Sequence, residues 1–199
     1  HNDSFPGSHP LAVGPLGYNG SKAAMELISK ADVVLALGTR LNPFSTLPGY
    51  GIDYWPKKAT IIQVDMNPDR IGLTKKVSVG ICGDAKQVAQ QILDKLSSDA
   101  GNTGREERKN LIHKTKSAWL QTLSGLDHEE DDPGTVWNKE ARERDKDRMS
   151  PRQAWRAIQD ALPQDAIISS DIGNNCAIGN AYPTFEKPRK YLAPGLFGP

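Results

Sequence analysis

The sequence predicts an α/β protein: a three-layer, doubly wound parallel sheet followed by the start of a second α/β unit. Short continuous apolar runs recur at residues 32–37, 60–65 and 166–171. A strand buried on both faces of a parallel sheet reads this way. Amphipathic helical stripes alternate with these runs, as they must when helices cover a sheet. Turn residues follow the runs, at Gly38, Asn67-Pro68 and Gly173. Right-handed crossovers then place the loops after the strand ends along one edge.

The first helix is predicted over residues 22–30. Asn19 or Ser21 can cap it, and Ala24, Leu27 and Ile28 fall on one face. Ahead of it, Gly14, Gly17 and Gly20 make a turn that permits close backbone approach. The run 32–37 is the first strand, and residues 39–56 form a long loop without periodicity. The run 60–65 is the second strand, and Asn67-Pro68 starts a turn or short helix with Asn as cap and Pro at its first position. A third strand is expected over residues 77–81. Asp84 then caps the clearest helix, whose stripe is Ala85, Val88, Ala89, Ile92, Leu93 and Leu96.

Residues 97–148 are rich in charges of both signs, with a partial stripe at Leu111, Ile112, Trp119, Leu120 and Leu123. This stretch reads as a solvated linker carrying one helix. A second unit opens with Ser150 as cap and Pro151 at the first helical position, and Pro163 ends that helix. Its inner face is Ala154, Trp155, Ile158, Ala161 and Leu162. The run 166–171 is the next strand, a helix is expected over residues 176–181, and residues 191–193 form a last short strand. The predicted division is residues 1–97, a linker at 98–149, and residues 150–199.

Composition narrows the function classes. Lys+Arg is 25 against 24 Asp+Glu in 199 residues, a formal net charge of +1. That balance argues against a general binder of nucleic acid or membrane surfaces, which needs cationic excess. No apolar run approaches the ~20 residues of a membrane span. Hydrophobic residues are 37% and mean hydropathy is −0.55. That share is below the usual ~45–50%, and the charged linker accounts for it. Cys82 and Cys176 are too few for a zinc cluster or a disulfide framework. They read as two buried, reduced thiols of a cytoplasmic protein. His1, His9, His113 and His128 lie in loops or charged sequence and read as solvated.

The best local candidate for chemistry is the stretch Asp171-Ile172-Gly173-Asn174-Asn175. A strand end, a glycine and a helix start present free backbone N–H groups, and phosphate binds such places. A plain strand–helix turn with polar caps fits the same pattern. Gly14, Gly17, Gly38, Arg40 and Asp65 could line a nucleotide crevice, although structural turns fit their spacing as well.

Four motifs then carry a resemblance: Gly14-Pro15-Leu16-Gly17 with residues 31–41, residues 61–72 with Gly83-Asp84, residues 150–173, and Pro194-Gly195-Leu196-Phe197-Gly198. In order and spacing the chain resembles thiamine-diphosphate enzymes of the acetohydroxyacid synthase type. It matches their central domain and the opening of their diphosphate-binding domain. Residues 1–10 and Leu41-Asn42-Pro43-Phe44 are similar to an acetyltransferase branch of that family.

The resemblance implies transfer of an acetyl equivalent from sulfoacetaldehyde to phosphate, giving acetyl phosphate and sulfite. It implies thiamine diphosphate and Mg²⁺ as cofactors, and a homodimer or homotetramer of the full-length subunit. Gly173, Asn174 and Asn175 match the segment that approaches the diphosphate. Gly195, Leu196 and Phe197 match the loop beside the aminopyrimidine ring. Gly14, Gly17, Gly38, Arg40 and Asp65 match positions where some members hold FAD or ADP, a ligand this branch is not expected to need. The family's Gly-Asp-Gly metal motif is expected beyond Pro199, and its activating glutamate and the first strand and helix of the central domain are expected ahead of His1. No catalytic or metal-binding residue is therefore assigned within the chain, and the isolated chain is expected to be inactive. An acetolactate synthase-like enzyme, an FAD- or ADP-binding module and a purely structural domain are the alternatives.

Overall fold

The computed structural model describes residues 3–17, 20–96, 102–127, 148–149, 151–171, 173, 178–179 and 182–193. The chain forms two compact units, residues 16–115 and residues 1–15 with 116–199. Their division runs across the predicted boundaries at 97/98 and 149/150.

In the unit of residues 16–115, β1 (Val33–Leu37), β2 (Thr60–Asp65) and β3 (Val79–Cys82) form a parallel sheet in the order β1-β2-β3. Leu35 stands opposite Ile62, and Ile62 opposite Val79. Helix α1 (Lys22–Ile28) starts at Ser21, whose side chain accepts from the Ala24 amide at 3.3 Å. Its buried residues are Ala23, Ala24 and Met25 rather than the predicted stripe through Leu27 and Ile28. The helix is short and anchors by its first turn. Met25 fills the space beside Gly49, where a Cβ would lie 2.8 Å from the Met25 Cε. Asn67 caps a 3₁₀ turn at Pro68–Arg70, as predicted, and its side chain accepts from the Asp69 amide at 2.9 Å. Helix α2 (Ala85–Lys95) packs against β2 and is capped by Asp84, which accepts from the Gln87 amide at 2.9 Å.

The core of this unit is Ala36, Leu41 and Ile61, with Val34, Trp55, Ala59 and Val77 packed on it. The opposite strand positions do not match the expectation of strands covered on both faces. Val33, Leu35 and Leu37 are 40–57% exposed and Val79 is 46% exposed. An apolar run reports that a strand can be covered, whereas its burial depends on which neighbour reaches it. β1 is an edge strand, and its side chains away from the core stay open.

Among the described residues, the charged segment forms helix α3 (Arg105–Asp127). Residues 128–147 lie outside the described residues. Helix α4 (Pro151–Ala161) follows. Its predicted inner face is only partly covered, because Ile158 is 45% exposed and Ala161 is also exposed. β4 (Ile168–Ser169) pairs in parallel with β5 (Tyr191–Leu192), with Ile168 opposite Tyr191 and Ser169 opposite Leu192. The Ile168 amide donates to Lys190 O at 2.8 Å, and the Ser170 amide donates to Leu192 O at 2.9 Å. Of the helix predicted over residues 176–181, Ile178 and Gly179 are described, and both are helical. Gly179 approaches this small sheet so closely that a Cβ there would lie 2.9 Å from the Tyr191 hydroxyl.

Candidate functional site

Parallel strands end on the same side, and ligands of open α/β sheets bind beyond those carboxyl ends. β4 and β5 are paired and parallel, so the chain leaves both of them at one edge. From β4 it passes through Ser170 and Asp171 to Gly173. From β5 it passes through Ala193 to residues 194–199. The strands that precede the two segments predicted to meet a cofactor therefore end side by side.

Gly173 is exposed, its φ is +89°, and nothing lies within 4 Å of where its Cβ would be. A left-handed backbone position with open space on its bare side suits close approach of a phosphate. Asn174, Asn175, Gly195, Leu196 and Phe197 lie outside the described residues.

The approach to this edge is held from the other end of the sequence. The Asp3 carboxylate is buried, and its Oδ2 accepts from the Lys190 amide at 2.8 Å and from the Tyr191 amide at 3.2 Å. Burial pushes its pKa up, but backbone hydrogen bonds, those from the Lys190 and Tyr191 amides foremost, help to hold it below the ordinary carboxylate value. Next along the segment, the Gly7 amide donates to Phe185 O at 2.9 Å. The Ser8 amide and hydroxyl donate to the two carboxylate oxygens of Glu186 at 2.9 and 2.5 Å. Phe185 and Tyr191, both buried, stack with centroids 5.4 Å apart.

The carboxyl edge of the three-stranded sheet is differently built. Gly38, with φ +61°, follows β1, and its amide donates to Val64 O at 2.8 Å. Asp65 is buried at the end of β2, and its Oδ1 accepts from the Asn67 amide at 2.9 Å. Gln63, 1% exposed, ties the loops after β1 and β2 together. Its Nε2 donates to Thr39 O and Arg70 O, both at 3.0 Å, and its Oε1 accepts from the Gly72 amide at 2.9 Å. Arg40 is exposed. Helix α2 starts at this edge, and Asp84 already occupies its first turn.

Gly14 and Gly17 have φ of +86° and +104°. The bare side of Gly17 is filled by the chain's own loop, since a Cβ there would lie 2.4 Å from Phe44 O and 2.6 Å from the Ser45 Cα. That loop is braced by Tyr54, fully buried, whose hydroxyl donates to Ser45 O at 3.1 Å. Burial pushes the Tyr54 pKa up despite a backbone hydrogen bond from Gly17. The predicted close approach at this turn is thus made to the Phe44-Ser45 backbone. Of the residues read as a nucleotide crevice, Gly38 and Asp65 meet at the strand ends, and Gly17 serves packing.

Cys82 is exposed, against the expectation of a buried thiol. It ends β3, an edge strand, so its apolar neighbours in sequence do not cover it. Cys176, His1 and His128 lie outside the described residues. His9 is engaged locally: its ring meets Phe5 edge-on at 4.9 Å, and its Nδ1 accepts from the Leu11 amide at 3.1 Å. Residues of α3 and α4 line a cavity of about 340 Å³ whose wall includes Leu120, Trp155 and Tyr182. No sequence motif pointed to it. Among the described residues, no group of three His, Cys, Asp or Glu is placed to hold a metal, and no helix is long and apolar enough to cross a membrane.

Sequence reasoning missed Asp3, Gln63 and Gly179. A glutamine inside the apolar run 60–65 was a usable signal for Gln63, because a polar side chain there needs partners. Asp3 carries no local signal; its partners are 187 and 188 residues away in sequence.

Similarity to known proteins agrees with this architecture. The whole chain is 80% identical to a "probable sulfoacetaldehyde acetyltransferase" of Rhizobium meliloti, covering 34% of that protein. It is 78% identical to a sulfoacetaldehyde acetyltransferase of Roseovarius nubinhibens, covering 33% of it. Over 98% of the chain it is 26% identical to the acetolactate synthase isozyme 3 large subunit of Escherichia coli, covering 31% of it. The chain thus spans about a third of the length of these relatives. Residues 1–92 match the family described as thiamine pyrophosphate enzyme, central domain. The parallel sheet and flanking helices of those residues agree with that similarity.

Proposed function

We propose that the full-length protein containing this chain is a thiamine-diphosphate-dependent acetyltransferase. It converts sulfoacetaldehyde and phosphate to acetyl phosphate and sulfite. The supporting observation is the 78–80% identity, over all 199 residues, to two relatives named for that activity. The acetolactate synthase alternative has less support, at 26% identity.

Thiamine diphosphate, when bound, supplies a thiazolium carbanion that acts as nucleophile and electron sink, which protein side chains cannot do. The chain's own contribution is to hold it. In this reading, the backbone at Gly173 and the side chains of Asn174 and Asn175 receive the diphosphate. Gly195, Leu196 and Phe197 pass beside the aminopyrimidine ring. The open space at Gly173 and the paired strand ends behind it fit that role. Mg²⁺ accompanies the diphosphate, and no residue of this chain is assigned to it. The working enzyme is a cytoplasmic homodimer or homotetramer. FAD or ADP has no part in the proposal, because the edge that would hold it carries the carboxylates of Asp65 and Asp84.

Asn175→Ala in the full-length enzyme tests the diphosphate role. A lost hydrogen bond to a charged group is worth ~1.5–3 kcal/mol. Calorimetry should therefore show thiamine diphosphate affinity falling by ~10-fold or more, with circular dichroism unchanged. Unaltered affinity removes Asn175 from the site. Production of acetolactate from pyruvate, with no acetyl phosphate from sulfoacetaldehyde, would overturn the substrate assignment.

A further inference from the structure

We infer that Asp3 is a positioning residue for the cofactor site, acting through the backbone of Lys190 and Tyr191. This rests on the thiamine diphosphate reading above. The geometry is specific. One buried carboxylate oxygen receives two successive backbone amides, at 2.8 and 3.2 Å, at the start of β5. An edge-strand amide pointing away from its partner has no ladder acceptor of its own, and a buried one needs a partner. Asp3 supplies that acceptor with a full charge, which makes the hydrogen bonds stronger than neutral ones.

β5 is only two residues long, Tyr191–Leu192, and pairs with an equally short β4. So short a ladder cannot fix its own register. The Asp3 carboxylate, the Gly7 to Phe185 hydrogen bond and the Ser8–Glu186 pair together clamp residues 185–191 from outside the sheet. Three residues past Leu192 the chain enters Gly195, the start of the segment assigned to the aminopyrimidine. β5 in turn pairs with the strand that leads to Gly173. Asp3 therefore fixes the backbone at the start of β5, the strand that precedes one proposed cofactor segment and pairs with the strand that precedes the other.

The test uses the full-length enzyme and the variants Asp3→Ala and Asp3→Asn, with Ser8→Ala alongside. Thiamine diphosphate binding is measured by calorimetry, exchange of the Lys190 and Tyr191 amides by mass spectrometry, and turnover at saturating cofactor. Asp3→Ala should weaken cofactor binding about tenfold and speed exchange of both amides. Turnover at saturating cofactor should stay within about twofold. Asp3→Asn keeps an acceptor without the charge and should restore most of the affinity. Ser8→Ala should produce a smaller loss of the same kind.

If Asp3→Ala fails to fold, Asp3→Asn carries the test through a smaller affinity loss with faster amide exchange. Cofactor affinity equal to that of the unaltered enzyme in every soluble Asp3 variant would overturn the assignment. So would equal losses of affinity and turnover that Asp3→Asn does not restore. Failure of the unaltered enzyme to bind thiamine diphosphate is a different result and would overturn the cofactor reading instead.

Discussion

Gly17→Ala separates two meanings of a glycine-rich turn. If Gly17 is bare so that a nucleotide can approach, a methyl group should cost little in the free protein. If it is bare because the chain's own backbone lies there, the same methyl group must displace that backbone. The structure places the added carbon 2.4 Å from Phe44 O and 2.6 Å from the Ser45 Cα. Both are backbone atoms and cannot rotate away. The φ of +104° adds strain for any residue with a Cβ. The left-handed backbone costs ~1–2 kcal/mol, and forcing the neighbouring loop outward adds ~1–3 kcal/mol. Gly51→Ala is the control, because its φ is +71° and nothing lies within 4 Å of the added carbon. It should show the backbone cost alone. The assay is urea unfolding followed by tryptophan fluorescence, which includes Trp55 in the core of the same unit. Gly17→Ala should exceed Gly51→Ala by ~1–3 kcal/mol, the overpacking contribution. Equal losses would refute the seating of residues 14–17 on Phe44-Ser45.

Gln63→Leu should destabilise the same unit by ~3 kcal/mol or more, read in the same unfolding assay. It leaves two carbonyls and one amide without their partner, and an unsatisfied buried group costs ~1–3 kcal/mol. The Asp3 clamp predicts a pH dependence. Its folded pKa lies below the ordinary 3.8, so its contribution is complete above 3.8 and is lost as pH falls through the lowered folded value. In acid titration followed by circular dichroism, Asp3→Asn should therefore flatten the loss of stability below pH 3.8; an unchanged slope there would exclude the linkage.

The strands were legible because parallel strands are written as continuous apolar runs, and β1 and β2 sit where those runs lie. The caps Ser21, Asn67 and Asp84 were legible because capping is local: residue type and spacing suffice. The exposure of Val33 and Leu35 was not legible, since a run suited to burial on two faces does not say whether both are covered. Cys82 failed for the same reason, because position in a sheet belongs to the sheet and not to the neighbouring residues. In the candidate site, Gly173 could be found by its place after a strand. Asp3 could not, because a carboxylate near one end of the chain acquires its role only when folding brings it to Lys190.

The two carboxyl edges differ in how their polar groups are used. At the end of β1 and β2, the polar groups consume one another: Gln63 makes three hydrogen bonds, Asp65 holds Asn67, and Asp84 caps α2. Two carboxylates, Asp65 and Asp84, stand at that edge and are both spent on backbone amides; the other edge carries one, Asp171. At the end of β4 and β5, the glycine that follows is open and left-handed, and the polar investment lies behind the strands, at Asp3 and Ser8–Glu186. A site that must receive a large anion needs its donors unspent and its supporting backbone fixed beforehand. At the small sheet the supporting backbone is fixed in this way, and Gly173 stands open beside it. The match to a central-domain family covers residues 1–92, yet the cofactor role is argued from residues 173–197. Residues 3–8 link the two readings, because a segment inside the matched domain holds the strand that leads to the site.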